Sequence, residues 1–296
     1  MHRNEGVLRA ELRKVFGTNP WFWASLTAGM VFAVACSVRS AFIFNSTLEL
    51  ALKYWDTSDA LYSATSCYSF WMLVDSAEWP AGIYVLVWPL LAALPYAWSW
   101  CAEKHSGLLA QQMARTSRLR CVAAKMLATF GGAVVSTALP LLVNLVICAC
   151  IAPASPNWVS DVLYLGVTRD ASLSSLFYNV PLAFCLLWTL VVALIAGLWA
   201  DLVLALTMLL DNFAPTLVAS YLVLHVLSYV GSQLSAIVLA RTGSDVSRSA
   251  LLSLDLFSTV SVRSQPDATA ALLLAILLMA VVSLALARFS LSRDVL

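Results

Sequence analysis

The side chains able to do chemistry are few and concentrated. Glu103, Lys104 and His105 close one long apolar run. Ser106-Gly107 follows, and then Gln111, Gln112, Arg115, Thr116, Arg118, Arg120 and Lys125 lead into the next run. Such a compact basic connection suits docking against another surface. Ordinary anchoring to lipid phosphates would explain its arginines alone, but not a short amphipathic piece standing between two closely spaced apolar runs. Inside the apolar runs the candidate polar sites are Asp201 and His225. His225, alone on an apolar helix, reads as a hydrogen-bonded packing residue. Asp201 has two readings: a polar point on a substrate path, or a carboxyl near one end of a long helix that is paired or wetted there. Intramembrane charges usually face protein or water, and the second reading is favoured.

Catalysis is not expected. The chain has no GxxxxGK[ST] phosphate loop, no GxSxG, no HExxH and no glycine-rich dinucleotide fingerprint. Asp56, Asp59, Asp75 and Glu78 form one acidic cluster, which reads as a solvated face rather than an acid–base pair. The seven cysteines are scattered without metal-ligand spacing. Cys148 and Cys150, two apart on a helix, point away from each other, so neither a disulfide framework nor a metal site is expected.

Composition decides where these groups must sit. Of 296 residues, 61% are hydrophobic and 11% charged, and the mean hydropathy is +0.85. Soluble domains carry about 25% charged residues, so this composition is that of an integral membrane protein. The net charge of +1 gives no reason to expect nucleic acid.

The chain reads as one polytopic all-α domain over residues 1–296, with six spans of ~20 residues. Leu8, Leu12, Val15 and Phe16 share one side of an amphipathic surface helix over 5–16. The first twenty residues are too charged to read as a cleavable signal. Spans are expected at 21–38, 80–100, 122–152, 181–210, 216–239 and 268–286. Between the first two, Leu48–Tyr54 reads as a short helix and Phe70–Val74 as an interfacial contact. Pro89, Pro95 and Pro140 should bend their spans, and Gly131-Gly132 should allow bending or close packing. Asp211 to Pro215 reads as a turn. With both termini cytoplasmic, the inner segments carry eleven of the seventeen Lys and Arg, and the outer loops carry ten of the sixteen acidic residues. The positive-inside rule favours that orientation.

Within the basic connection, Leu108, Leu109 and Met113 can share one side of a short helix, with Gln111, Gln112 and Arg115 on another. Glu103-x-x-Ser106-Gly107, then Arg115-Thr116-x-Arg118 and Lys125, resembles the link between the second and third spans of ABC-2-type transporter permeases. The flanking WPLLAALPYAWSW and KMLATFGGAVVSTALPLLVNL and the N-terminal helix are similar to that family too, so the resemblance runs over nearly the whole chain. The acidic Asp211-Asn212 departs from relatives that are often basic there, which makes that turn a weaker partner contact. The resemblance implies an exporter's permease subunit, paired as two permeases with two ABC ATPases that hold the ATP and Mg. The link from Glu103 to Arg120 would be the ATPase contact, in a bacterial plasma membrane. The alternative is a self-contained secondary transporter or channel.

Overall fold

The computed structural model describes residues 2–54, 66–74, 78–156, 167, 171–242, 257, 260–262 and 269–292. Their regular structure is helical, with no strand among the described residues: α1 (His2–Phe16), α2 (Pro20–Tyr54), α3 (Trp79–Ala93), α4 (Ser99–His105), α5 (Leu108–Arg115), α6 (Arg118–Ile151), α7 (Ser174–Asn179), α8 (Pro181–Leu210), α9 (Phe213–Thr242) and α10 (Thr269–Ser292). Five of the described helices are long and apolar enough to cross a membrane, namely Pro20–Leu50, Arg118–Ile151, Pro181–Leu210, Phe213–Val238 and Leu272–Ser290. The chain is thus an all-α, multi-pass membrane protein. The acidic cluster Asp56, Asp59 and Asp75, and most of the loops at 157–170 and 243–268, lie outside the described residues.

Helix boundaries follow the breakers. Between Met30 and Tyr54 there is neither glycine nor proline, so α2 continues as one helix through the stretch expected to leave it after Val38. At its start Asn19 caps the helix, its Oδ1 accepting the Trp21 N–H at 3.0 Å, with Pro20 in the first helical position where a missing N–H is harmless. The turn expected over Asp211–Pro215 shrinks to Asp211-Asn212. Phe213, Ala214 and Pro215 already belong to the first turn of α9, a position that tolerates proline. Asp211 takes a left-handed conformation (φ 53°) to end α8. The last helix runs on to Ser292, beyond the expected 286.

The second apolar stretch departs most from expectation. In place of one span over 80–100, α3 stops at Ala93, Leu94–Trp98 form turns around Pro95, and α4 begins at Ser99. With fifteen residues, α3 is about 22 Å long, short of a ~30 Å hydrocarbon core. A proline break frees backbone carbonyls that lipid cannot satisfy, and side chains supply the donors here. Ser25 Oγ donates to Leu91 O at 2.6 Å, the carbonyl that Pro95 leaves unpaired. Asn19 Nδ2 donates to Pro95 O, Trp199 Nε1 to Pro89 O at 2.9 Å, and Thr207 Oγ1 to Ala97 O at 3.4 Å.

These contacts also give helix directions. Asn19 meets Pro95, Ser25 meets Leu91 and Arg39 meets Glu78, so α2 runs antiparallel to α3–α4. Residues 199 and 207 of α8 meet 89 and 97 in the same order, so α8 is parallel to α3–α4. Asn144 of α6 reaches Ala33 and Ser37, and Gly29 lies against Pro140, so α6 is parallel to α2. A Cβ at Gly29 would stand 2.6 Å from Pro140 Cγ, so only glycine permits that approach. Of the Gly131-Gly132 pair, only Gly132 meets neighbours, Val15 of α1 and Pro95.

Residues 66–74, expected in part to touch the interface, are buried throughout. Trp71 Nε1 donates to Leu141 O at 3.2 Å and the Met72 N–H to Asn144 Oδ1 at 2.9 Å. The Val262 N–H donates to Leu73 O at 3.0 Å. Irregular backbone inside a membrane bundle needs such partners, and Asn144 provides one with its Oδ1 while its Nδ2 donates to Ala33 O and Ser37 Oγ of α2.

Candidate functional site

At the other end of α6 lies a cluster of four charges. Glu11 and Lys14 come from α1, Glu103 from α4 and Lys125 from α6. Lys14 Nζ stands 2.8 Å from Glu11 Oε1 and 2.7 Å from Glu103 Oε1. Lys125 Nζ stands 2.7 Å from Glu103 Oε2 and 3.4 Å from Glu11 Oε2. The signs alternate around a closed ring of two carboxylates and two ammonium groups. Tyr96, from the proline turn, donates its hydroxyl to Glu11 Oε2 at 2.6 Å, and its ring centroid lies 5.4 Å from Lys125 Nζ.

The ring is largely dry. Lys125 has no solvent exposure and the Glu11 side chain 2%, whereas Lys14 keeps 39%. A buried ion pair contributes little net stability, because desolvation offsets attraction, but removing one partner strands the other charge at a cost of ~3–5 kcal/mol. Burial alone would raise the Glu11 carboxyl; Lys125 and the hydrogen bonds from Lys14 and Tyr96 outweigh it and hold Glu11 below its ordinary value. Burial would lower the Lys14 ammonium, but the bonds to Glu103 and Glu11 hold it above its ordinary value. Glu11 and Lys14 therefore stay ionised at neutral pH, and the ring is built as a clamp between α1, α4 and α6.

The clamp sets the position of the connection. Gly107 adopts φ 74°, a left-handed conformation that suits glycine, and lets the chain turn from α4 into α5. Leu109 is buried, and Met113 packs against the core. Leu108, expected beside them, turns outward at 48% exposure. The Cys121 thiol donates to Gln112 Oε1 at 3.4 Å. A second tie, Lys104 Nζ to Asp211 Oδ2 at 2.6 Å, joins α4 to the turn after α8.

The expected docking residues thus divide in two. Ser106, Gly107, Gln111, Arg115 and Arg120 are exposed, with Gln112, Thr116 and Arg118 partly buried. Glu103 and Lys125 are buried and reach α1 instead of an outer surface. Glu11, Lys14 and Tyr96 join the cluster without having been expected there. One signal for Glu11 is in the sequence: residues 8, 11 and 15 follow the i, i+3, i+7 spacing of a single helix face, so Glu11 interrupts the apolar stripe of Leu8 and Val15.

Neither intramembrane polar residue joins this site. His225 Nδ1 lies 3.1 Å from Tyr221 O, and its ring packs between Tyr221 and Phe257, as a packing residue should. Asp201 is buried in α8, and its Oδ1 has no hydrogen-bond partner among the described residues. No group of side chains suited to a metal ion occurs among the described residues. Comparison with protein-family models, curated proteins and solved structures finds no match to this chain.

Proposed function

We propose that this chain is the membrane subunit of an ABC transporter of the ABC-2 permease type, driven by a separate ATPase that docks on the connection from Glu103 to Arg120. In this reading α3 and α4 together form a sixth, bent crossing, and both termini are cytoplasmic. Two permeases pair with two ATPases, which bind ATP and Mg, and the direction is export from a bacterial cell.

The observation that carries the reading is the ion ring of Glu11, Lys14, Glu103 and Lys125. A coupling device must pass a push on a short helix into the spans without losing it in slack. Here α5 is seated through Leu109 and Gln112, and the helices on either side of it are clamped to each other and to α1. A displacement of α5 would therefore move α4 and α6 as a body, and the proline turn above α4 is where their packing can switch.

The test is reconstitution with the P-loop ATPase encoded nearest to this chain. ATP hydrolysis should be stimulated by the permease and coupled to substrate export. Arg115→Glu, Arg118→Glu and Gln111→Pro should each uncouple the two while leaving the protein in the membrane. Coupled transport that survives all three changes refutes docking at this site.

One observation favours a self-contained secondary transporter as the second reading. Asp201 is a buried carboxyl inside a span, with one oxygen that has no hydrogen-bond partner among the described residues, the kind of group that marks ion or proton paths. Flux driven by a proton gradient in the absence of any ATPase, and lost in Asp201→Asn, would replace the transporter subunit with that reading.

A further inference from the structure

We propose that the cleft between α1, the α5–α6 junction and the first turns of α6 binds the headgroup of an anionic phospholipid. Its volume is near 390 Å³, and it is lined by Arg115, Ser117 and Arg120 at the junction and by Leu8 of α1 with Ala123 and Leu127 one to two turns further along α6. The junction end is basic and the end along α6 is apolar, so the lining suits an amphiphile carrying negative charge.

Charge complementarity supplies the first argument. Both guanidinium groups are exposed, and neither has an ion-pair partner among the described residues. Of the acidic side chains described at this end of the bundle, Glu11 and Glu103 are engaged by Lys14 and Lys125, and Asp211 by Lys104. Arginine recognises phosphate through paired N–H donors and is more weakly hydrated than lysine. Basic pockets of this kind at the cytoplasmic membrane boundary take anionic headgroups.

Position and size supply the second. The junction stands at the start of the membrane-length helix Arg118–Ile151, and Leu119 and Leu127 of that helix are 64% and 57% exposed. The apolar side of the cleft is thus continuous with a surface suited to acyl chains, while its arginines sit where headgroup phosphates lie. The cleft is larger than a phosphate ion needs, and its apolar side would be left unfilled by one. A glycerophosphate with the first methylenes of its chains matches both halves. Seated there, the lipid would bridge Leu8 of α1 and Leu127 of α6. Lipid binding needs no ATPase, so its failure would leave the transporter reading standing, and the reverse holds too.

The full-length protein purified in mild detergent can be assayed by native mass spectrometry and thermal unfolding with phosphatidylglycerol, phosphatidylcholine or inorganic phosphate. Phosphatidylglycerol should be retained about tenfold over phosphatidylcholine and should raise the melting temperature. The double change Arg115→Ala with Arg120→Ala should abolish the preference, and Arg9→Ala, outside the cleft, should not. Ala123→Trp fills the apolar side with both arginines in place and should also lower retention. Equal retention of both lipids, an equal response to phosphate alone, or an unchanged preference in the double variant overturns the proposal. So does unchanged retention in Ala123→Trp, which would indicate plain surface charge. Protection of Arg115 and Arg120 from phenylglyoxal by a protein partner, but not by lipid, would assign the cleft to a protein contact instead.

Discussion

The Lys125 ammonium of α6 lies 2.7 Å from the Glu103 carboxylate of α4, and no part of that lysine reaches solvent. The pair spans the connection that holds α5, so the ends of two helices are tied directly, with α5 looped out between them. Because α1 completes the charge balance through Glu11 and Lys14, the N-terminal helix is a structural member of the bundle at this end rather than a loose surface attachment.

Lys125→Met should lower stability by up to about 3–5 kcal/mol, since it leaves the buried carboxylates of Glu103 and Glu11 sharing Lys14 alone, with one negative charge unbalanced. Adding Glu103→Gln restores the balance, with Glu11 left to Lys14, so the double variant should be less destabilised than the sum of the two single changes. Thermal unfolding in detergent measures both. Simple additivity would mean that the two residues do not share a network.

The clamp should also set a pH window for α1. Glu11 is held below its ordinary value of 4.5, so its contribution is complete above pH 4.5 and is lost as pH falls further, through its folded value. Lys14 is held above its ordinary 10.5, so its smaller, partly screened contribution is complete below pH 10.5 and fades as pH rises beyond it. The protection factors of the α1 amides, corrected for the intrinsic pH dependence of exchange, should therefore hold from mild acid to mild base and fall at the acid end. Glu11→Gln should remove the acid limb. A limb that persists in that variant belongs to another group.

Asn144→Leu should release residues 66–74. Asn144 Nδ2 donates to Ala33 O and Ser37 Oγ, and its Oδ1 accepts the Met72 N–H. An orphaned buried group costs about 1–3 kcal/mol. In a Cys150→Ser background, which removes the exposed thiol, maleimide labelling of buried Cys67 should rise severalfold. Unchanged labelling would mean that Trp71 and the neighbouring chain hold the segment without Asn144.

Two glycines allow a comparison of sites. Gly29→Ala would place a methyl 2.6 Å from the Pro140 ring, whereas Gly131→Ala meets nothing within 4 Å. The first should cost roughly 1–3 kcal/mol by overpacking against a stiff ring, and the second should be neutral or slightly stabilising through helix propensity. Equal melting temperatures for the two variants would mean that α2 and α6 can move apart to make room.

The sequence alone determined the class of the protein, an all-α bundle of membrane-length helices, because 20-residue apolar runs with so few charges have no other stable form in or out of a bilayer. It also marked an apolar run from Pro181 to about Leu210, where α8 lies, since a proline opens that run and a turn closes it. Periodicity and composition are local properties, and so they marked helices well. Only the tertiary structure decided which polar groups meet. Spacing puts Glu11 on the same helix face as Leu8 and Val15 without naming its partner, and Glu103 and Lys125 looked like parts of an outward docking face. They lie more than ninety residues apart at their extremes, and nothing local encodes that they converge on one dry ring. The same holds for α3 and α4: prolines announce a bend, but whether the chain breaks there depends on Asn19, Ser25, Trp199 and Thr207, brought from two distant segments to satisfy carbonyls around the bend.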